Sequence, residues 1–293
     1  ITGAIYAFQE EITNSIRKDA IFHKEQNIES KTILSLKELE QKINVVTKER
    51  FPIHWVTIPV DKSRSYVFYY YEHTPKGWNV FEEYVIYKSV YVNPFTGEIL
   101  GIYDETRSFF NIIKSIHYSF MLNTNWGVYV CGIPTLIFVF MLISGIVLWW
   151  PKNKQAAKQR FWFRWKDSTK WKRKNYDLHN IMGFYMMIFA LIIALTGLVW
   201  AFKCYDKGVQ WLFNGGKTFK REKVVSDTTH YTKNRPLDKI YASVKQSHPE
   251  AKSYYMFLPK ETDSLATYNT FIRYKSRFDD TATDYDQYTA KPL

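Results

Sequence analysis

Apolar and polar positions divide the chain into two kinds of segment. From Gly127 to Trp150, and again from Ile181 to Phe202, the chain is apolar on every face and carries no charged side chain. At about 1.5 Å of rise per residue, roughly 24 helical residues reach about 36 Å, enough to cross a hydrocarbon core of about 30 Å. A core helix of a soluble protein rarely stays apolar all round for so long, so both runs read as membrane-spanning helices. Trp126, Trp149, Trp150 and Trp200 stand where a bilayer interface places indoles.

The remaining chain alternates between helical and extended patterns. Leu34 to Val46 (LSLKELEQKINVV) has helical spacing, with Ser35 as its N-cap. Ile53 to Val60, Ser65 to Tyr71 and Val85 to Val92 are rich in aromatic and β-branched residues and predict strands. Asn93 to Glu98 predicts a turn in which Gly97 takes positive φ. Residues 9–115 therefore form a small α+β domain.

The segment from 203 to 293 repeats this plan. Pro236 to Ser247 predicts a helix with proline in its first turn. His248-Pro249 parallels Phe51-Pro52, and Leu258-Pro259 parallels Ile58-Pro59. Asp286 to Leu293 (DQYTAKPL) aligns position for position with Asn93 to Leu100 (NPFTGEIL). A span followed by an outer α+β domain is thus used twice.

A second repeat concerns the helix ends. Thr2 to Phe8 and Thr196 to Phe202 share T-G-apolar-apolar-aromatic-A-F, and Ser144 to Trp150 is a looser copy. Residues 1–8 are accordingly expected to be the outer end of a truncated first transmembrane helix. A cleaved signal peptide is the alternative, but no small-residue cleavage site is visible.

Charge orients the two spans. The chain has a formal net charge of +12. Residues 151–178 carry Lys152, Lys154, Lys158, Arg160, Arg164, Lys166, Lys170, Lys172, Arg173 and Lys174 against Asp167 and Asp177, ten basic residues to two acidic, a net +8. So basic a short loop belongs on the cytoplasmic side, and the α+β domains then lie on the other. Its interleaved aromatics, Phe161, Trp162, Phe163, Trp165 and Trp171, fit lipid headgroups better than nucleic acid, and no nucleic-acid partner is expected. The partner they indicate is the lipid bilayer.

The candidate chemistry is carried by His117 and His179, one before each span, expected within a helix over 116–150 and one over 179–202. Neutral imidazole is a good axial ligand for haem iron, and an ionisable residue inside a membrane is a functional candidate by default. Gly183, one turn from His179 on the same face, leaves room for a porphyrin edge. Alternatively, both histidines are interfacial residues facing headgroups. One opens its span at the outer side and the other at the inner, so the two cannot ligate one iron. The repeat spacing places matching histidines near position 310 and about 15 positions before residue 1. The expectation is a four-span protein with two haems, each using one histidine of this chain.

Other residues are less informative. Lys172, Arg173 and Lys174, or Arg107 and Lys114, are either propionate partners or ordinary juxtamembrane charge. His23, His54, His73, His230 and His248 lack metal-ligand spacing. Cys131 and Cys204 lack a C-x-x-C pattern and read as packing cysteines, a disulfide being the alternative. Tyr69 to Tyr71, Tyr254 and Tyr255 read as strand core, with chelate contact the alternative. No Walker loop, dinucleotide fingerprint, zinc signature or nucleophile elbow is visible.

Three features together carry a family resemblance. They are the H-x3-G opening at His179 and Gly183, the [ST]-G-x-[IV] endings at Gly3, Gly145 and Gly197 with a Trp149-Trp150-Pro151 exit, and outer domains ending in D/N-x-aromatic-T-G/A. The chain resembles the PepSY-associated transmembrane family, which includes iron-regulated inner-membrane proteins and ferric-siderophore reductases. The resemblance implies a membrane α-helical bundle with two periplasmic α+β PepSY-like domains in a bacterial inner membrane. It implies haem b held by histidine pairs, and an oxidoreductase passing electrons outward to a ferric siderophore or another periplasmic acceptor. The cytoplasmic or quinol electron donor is left open. A second reading is a non-enzymatic PepSY membrane protein that senses or modulates a periplasmic peptidase or other partner.

Overall fold

The computed structural model describes residues 1–154, 157, 160–218, 223–230, 236–260, 262–275 and 279–293. Lys158 of the basic connection lies outside the described residues. The chain divides into a sheet unit, residues 1–116 and 221–293, and a hairpin unit, residues 117–220.

In the sheet unit the helices are α1 (Thr2–Ala7), α2 (Gln9–Ile16), α3 (Lys18–Ile21), α4 (Leu36–Thr47), α5 (Val80–Glu83) and α10 (Leu237–Ser247). Its strands are β1 (Ile53–Pro59), β2 (Tyr66–His73), β3 (Tyr84–Val92), β4 (Ile99–Asp104), β5 (Ser253–Phe257), β6 (Thr267–Arg273) and β7 (Asp280–Asp286). α6 (Phe109–Ser119) leads out of this unit, and α7 (Thr124–Trp149), α8 (Trp171–Ala201) and α9 (Lys203–Phe213) follow.

The seven strands form one antiparallel sheet in the order β4-β3-β2-β1-β5-β6-β7. This corrects the expectation of two outer domains: the segments 9–115 and 203–293 contribute to one composite sheet. The joint is β1 against β5, where Val56 stands opposite Met256 with both side chains fully buried. Separate domains would each leave a strand edge with unpaired N–H and C=O groups, and pairing the two edges removes both.

Alternation along the strands builds the core. Val56 and Ile58, Tyr66, Phe68 and Tyr70, Val90 and Val92, Tyr254 and Met256, Tyr268 and Ile272 turn to one face, as a period of two requires. Over that face lie α4, through Leu36, Leu39 and Ile43, and α10, through Leu237, Ile240 and Val244. Both triplets have i, i+3, i+7 spacing, one stripe of a helix. Ser35 forms a full capping box with Glu38, as its position predicted. Asp238, in the first turn of α10, accepts a hydrogen bond from the Leu36 backbone N–H at 2.6 Å, so the second half of the repeat helps satisfy the start of α4 in the first.

The repeated turn is also repeated in its bonds. Asn93 Oδ1 accepts from the Phe95 N–H at 3.0 Å, and Asp286 Oδ1 from the Tyr288 N–H at 2.9 Å. Gly97 and Ala290 both take positive φ, +75° and +60°, and donate to the carbonyls of Asn93 and Asp286. Glycine adopts that conformation without penalty and alanine does not, so the second copy is the more strained.

On the opposite face Ala20 and Ile21 pack on Val67 and Tyr91. Arg17 clamps this layer with a two-pronged pair to Glu105, the second prong at 3.1 Å, while the Ser89 hydroxyl donates to the same carboxylate at 2.6 Å.

Two outcomes follow. Met256→Ala should cost about 2–5 kcal/mol and lower a single cooperative melting transition of the sheet unit, because both halves share one core. Two transitions, only one of them displaced, would contradict the composite sheet. Burial first, and then the Lys260 ammonium, hold the His54 imidazole below its ordinary value, with Glu72 opposing. Its contribution to stability is present above about pH 6.5 and is lost as pH falls through the lowered folded value. The melting temperature should therefore drop between pH 7 and 5, and drop less in His54→Gln.

Candidate functional site

α7 and α8 are an antiparallel pair of apolar helices. Their most apolar windows have mean hydropathies of 2.5 and 2.3 and are only 11% and 17% buried, which excludes the soluble-core reading of the same sequence. Tyr129 meets Phe202, Val139 lies with Ala194 and Leu198, and Trp149 meets Phe184, with ring centroids at 5.9 and 5.3 Å for the two aromatic pairs. Gly132 is the point of closest approach: a Cβ there would lie 2.6 Å from Ala201 Cβ. Small residues at such a crossing let helix backbones approach where lipid gives no hydrophobic drive. Polar groups within the spans are satisfied locally, the Ser144 hydroxyl by the Met141 carbonyl and Thr196 by Ile192 and Ile193.

The ends of the hairpin differ from the sequence reading. The helix expected over 116–150 is broken: α6 ends at Ser119 and α7 starts at Thr124, N-capped by Asn123. Phe120 and Met121 between them both have positive φ, +55° and +66°. Such a conformation in two successive side-chain-bearing residues costs on the order of 1–3 kcal/mol each and persists only where neighbours enforce it. The chain folds back so far that a Cβ at Gly127 would lie 2.7 Å from the Ser119 carbonyl oxygen. The helix expected over 179–202 instead starts at Trp171 and so takes in the end of the basic connection. The segment after the second span opens with another helix, α9.

His117 is exposed in the last turn of α6, two residues before Ser119 and so beside the first turn of α7. His179 is exposed on α8, five residues beyond Phe184 and the Trp149 contact, toward the basic connection. From Gly127 to Trp149 the helix rises about 33 Å. The structure keeps the two histidines at opposite ends of the hairpin, and two ligands of one metal, each about 2 Å from it, cannot be so far apart.

Gly183, one turn from His179, is exposed, and a Cβ built on it meets no atom within 4 Å. The face of α8 that carries His179 is therefore open and recessed, and His179 has no hydrogen-bond partner among the described residues. A neutral imidazole beside such a recess could ligate a metal at this level, and His117 is the imidazole at the other level; a second ligand to either would come from another helix.

The candidate propionate partners are engaged elsewhere or shielded. Arg173 pairs with Asp177 at 3.0 Å, Lys174 lies over Trp165, Arg107 lies over Phe81, and burial pushes the Lys114 ammonium below its ordinary value. Cys131 and Cys204 are free. His23 bonds the Lys62 carbonyl at 2.7 Å, and His248 shares a 2.7 Å hydrogen bond with the Tyr274 hydroxyl.

The sequence profile of the family described as PepSY-associated TM region matches residues 1–289. The chain belongs to that family. It is therefore a PepSY-associated membrane protein, with two membrane helices and a sheet-rich α+β unit. No curated protein matches the chain.

Sequence reasoning missed two residues that hold the PepSY-associated hairpin together. Gly132 was visible only as a small residue in an apolar run, and the glycines singled out, Gly145 and Gly197, face open space. Arg160 donates to the Trp149 and Trp150 carbonyls, the latter at 3.0 Å, neutralising the negative end of α7. Gly132→Leu should force α7 from α8 and lower the melting temperature of the purified protein, overpacking of this kind costing about 1–3 kcal/mol. Unchanged melting would mean that the two helices do not touch there.

Proposed function

We propose that this PepSY-associated protein is an inner-membrane b-type haem protein that carries electrons across the bilayer to reduce the iron of ferric siderophores. The observation that carries the reading is the separation of two exposed histidines to the two ends of one membrane hairpin, with an open recess beside one of them. A single binding site would gather its ligands at one depth, whereas an electron path across about 30 Å of hydrocarbon needs a station at each level.

The chain's own contributions are few. His179 offers a neutral imidazole nitrogen at the inner level and His117 one at the outer level. Gly183 keeps the inner face clear. Arg160, the basic connection and the terminal tryptophans hold the hairpin at fixed depth. Haem, when bound between two imidazoles, supplies reversible one-electron chemistry without an open coordination site. The substrate Fe(III) gains one electron on the periplasmic side and leaves its chelate as Fe(II). The electron comes from a quinol or a cytoplasmic reductant.

Charge and sheet connectivity support different parts of this topology. The net +8 of residues 151–178 favours a cytoplasmic connection. One sheet built from segments before and after the spans requires an even number of crossings between them, and two are present.

The test is the absorbance spectrum of the protein purified from its membrane. His117→Ala and His179→Ala should each lose about half of the haem, Gly183→Leu should lose the same half as His179→Ala, and the variants should melt like the wild type. A colourless wild-type protein, or full haem content in both histidine variants, would leave the non-enzymatic role of modulating a periplasmic peptidase as the reading to pursue.

A further inference from the structure

The sheet unit contains a polar cavity that the electron-transfer reading does not use. It lies between α2 and the sheet face opposite the main core, and its volume is about 260 Å³. Its floor spans the joint between the two halves: Thr57, Tyr69 and Tyr91 come from β1, β2 and β3, and Tyr255 and Arg273 from β5 and β6. Neither half alone would form it.

Its roof reverses the usual helix pattern. A helix lying on a sheet normally turns its apolar stripe inward. Here Gln9, Thr13 and Asn14 line the cavity, while Phe8 (60% exposed), Ile12 (36%) and Ile16 (77%) point away from the core. Enclosing polar side chains without partners is costly, so such a lining suits polar contents.

Arg64 decides the sign of those contents. It lines the cavity half-buried, places its guanidinium 5.2 Å from the Phe22 ring centroid and donates to Asn14 Oδ1 at 3.2 Å. Among the described residues it has no carboxylate within ion-pair distance, although its charge helps, after the Ser63 hydroxyl, to hold Asp61 below the usual carboxylate range. Arg273, also in the lining, is fixed by Asp280 at 3.1 Å and by the Tyr255 hydroxyl at 2.5 Å. Burial raises the Tyr69 and Tyr91 phenols above their ordinary values, so both remain donors. Glu10, exposed at the rim, is the acidic group of the lining.

We infer that this cavity binds a small organic carboxylate, with Arg64 as its principal cationic partner and tyrosine hydroxyls completing the hydrogen bonds. The planar fork of arginine matches a carboxylate in two-pronged fashion. A volume below the roughly 300–1,000 Å³ of drug-sized sites limits the occupant to a small acid or to one carboxylate arm of a larger chelate. The inference does not depend on haem.

Isothermal titration of the full chain in detergent tests it, with citrate and ferric citrate as probes and sodium chloride as control. Wild type should bind at least one probe. Citrate binding alone identifies a free acid as the ligand, and binding restricted to the ferric complex identifies an arm of an iron chelate. Arg64→Gln should weaken that binding at least ten-fold, as should Asn14→Leu, which fills the roof and carries the test if Arg64→Gln fails to fold. Haem absorbance should be unchanged in both. Absence of binding by wild type to either probe, or affinity unchanged in the variants, overturns the inference.

Discussion

The pairing of β1 with β5 is the constraint on which the rest of this protein depends. Five residue pairs join strands nearly 200 positions apart in the chain, and one of them, Val56 with Met256, is wholly buried. The chain between β4 and β5 must leave the sheet and return to it. A bilayer turns that requirement into a rule of parity: strands of one sheet lie on one side of the membrane, so the intervening chain crosses it an even number of times. The charge-free runs in α7 and α8 supply two such crossings. The parity of the sheet and the lengths of the two apolar helices thus agree from unrelated physics.

Within the membrane a different economy operates. Lipid is as apolar as leucine, so burial does not draw α7 to α8, and close van der Waals approach must do so. Gly132 against Ala201 provides that approach. Hydroxyls turn back to their own helix, and the exposed carbonyls at the end of α7 are met by Arg160. In the sheet unit, by contrast, two stripes of three aliphatic residues on α4 and α10 cover a continuous apolar face, and water drives the packing.

Much of this was legible in the sequence because it is written in local patterns. The strands at 53, 66 and 84, the Ser35 cap, the positive φ of Gly97 and the match of Asp286 to Asn93 all depend on residues within a few positions of one another. The union of the two halves was not legible, since a strand edge pairs with a distant edge through backbone groups that every residue carries. The start of α8 at Trp171 was obscured because Lys172, Arg173 and Lys174 read as connection, although basic residues are good helix formers and helices routinely extend past the hydrocarbon. Of the candidate site, the spacing that sets His117 and His179 at opposite ends of the hairpin was legible and the depth of His117 beside α7 was not.

That depth is set by the corner at Phe120 and Met121. Neither of its two left-handed residues is a glycine, asparagine or proline, so the sequence reads through it as one helix from 116 to 150. Had the helix continued, His117 would stand about 10 Å beyond Thr124 along the axis. The two left-handed residues fold α6 back, so that Ser119 rests against Gly127 and His117 stays level with the first turn of α7. The strain is offset by the Asn123 cap and by the close packing that the missing side chain of Gly127 permits. A larger residue at 127 would collide with the Ser119 carbonyl and release the corner. Position 127 therefore governs where His117 stands against the first turn of α7.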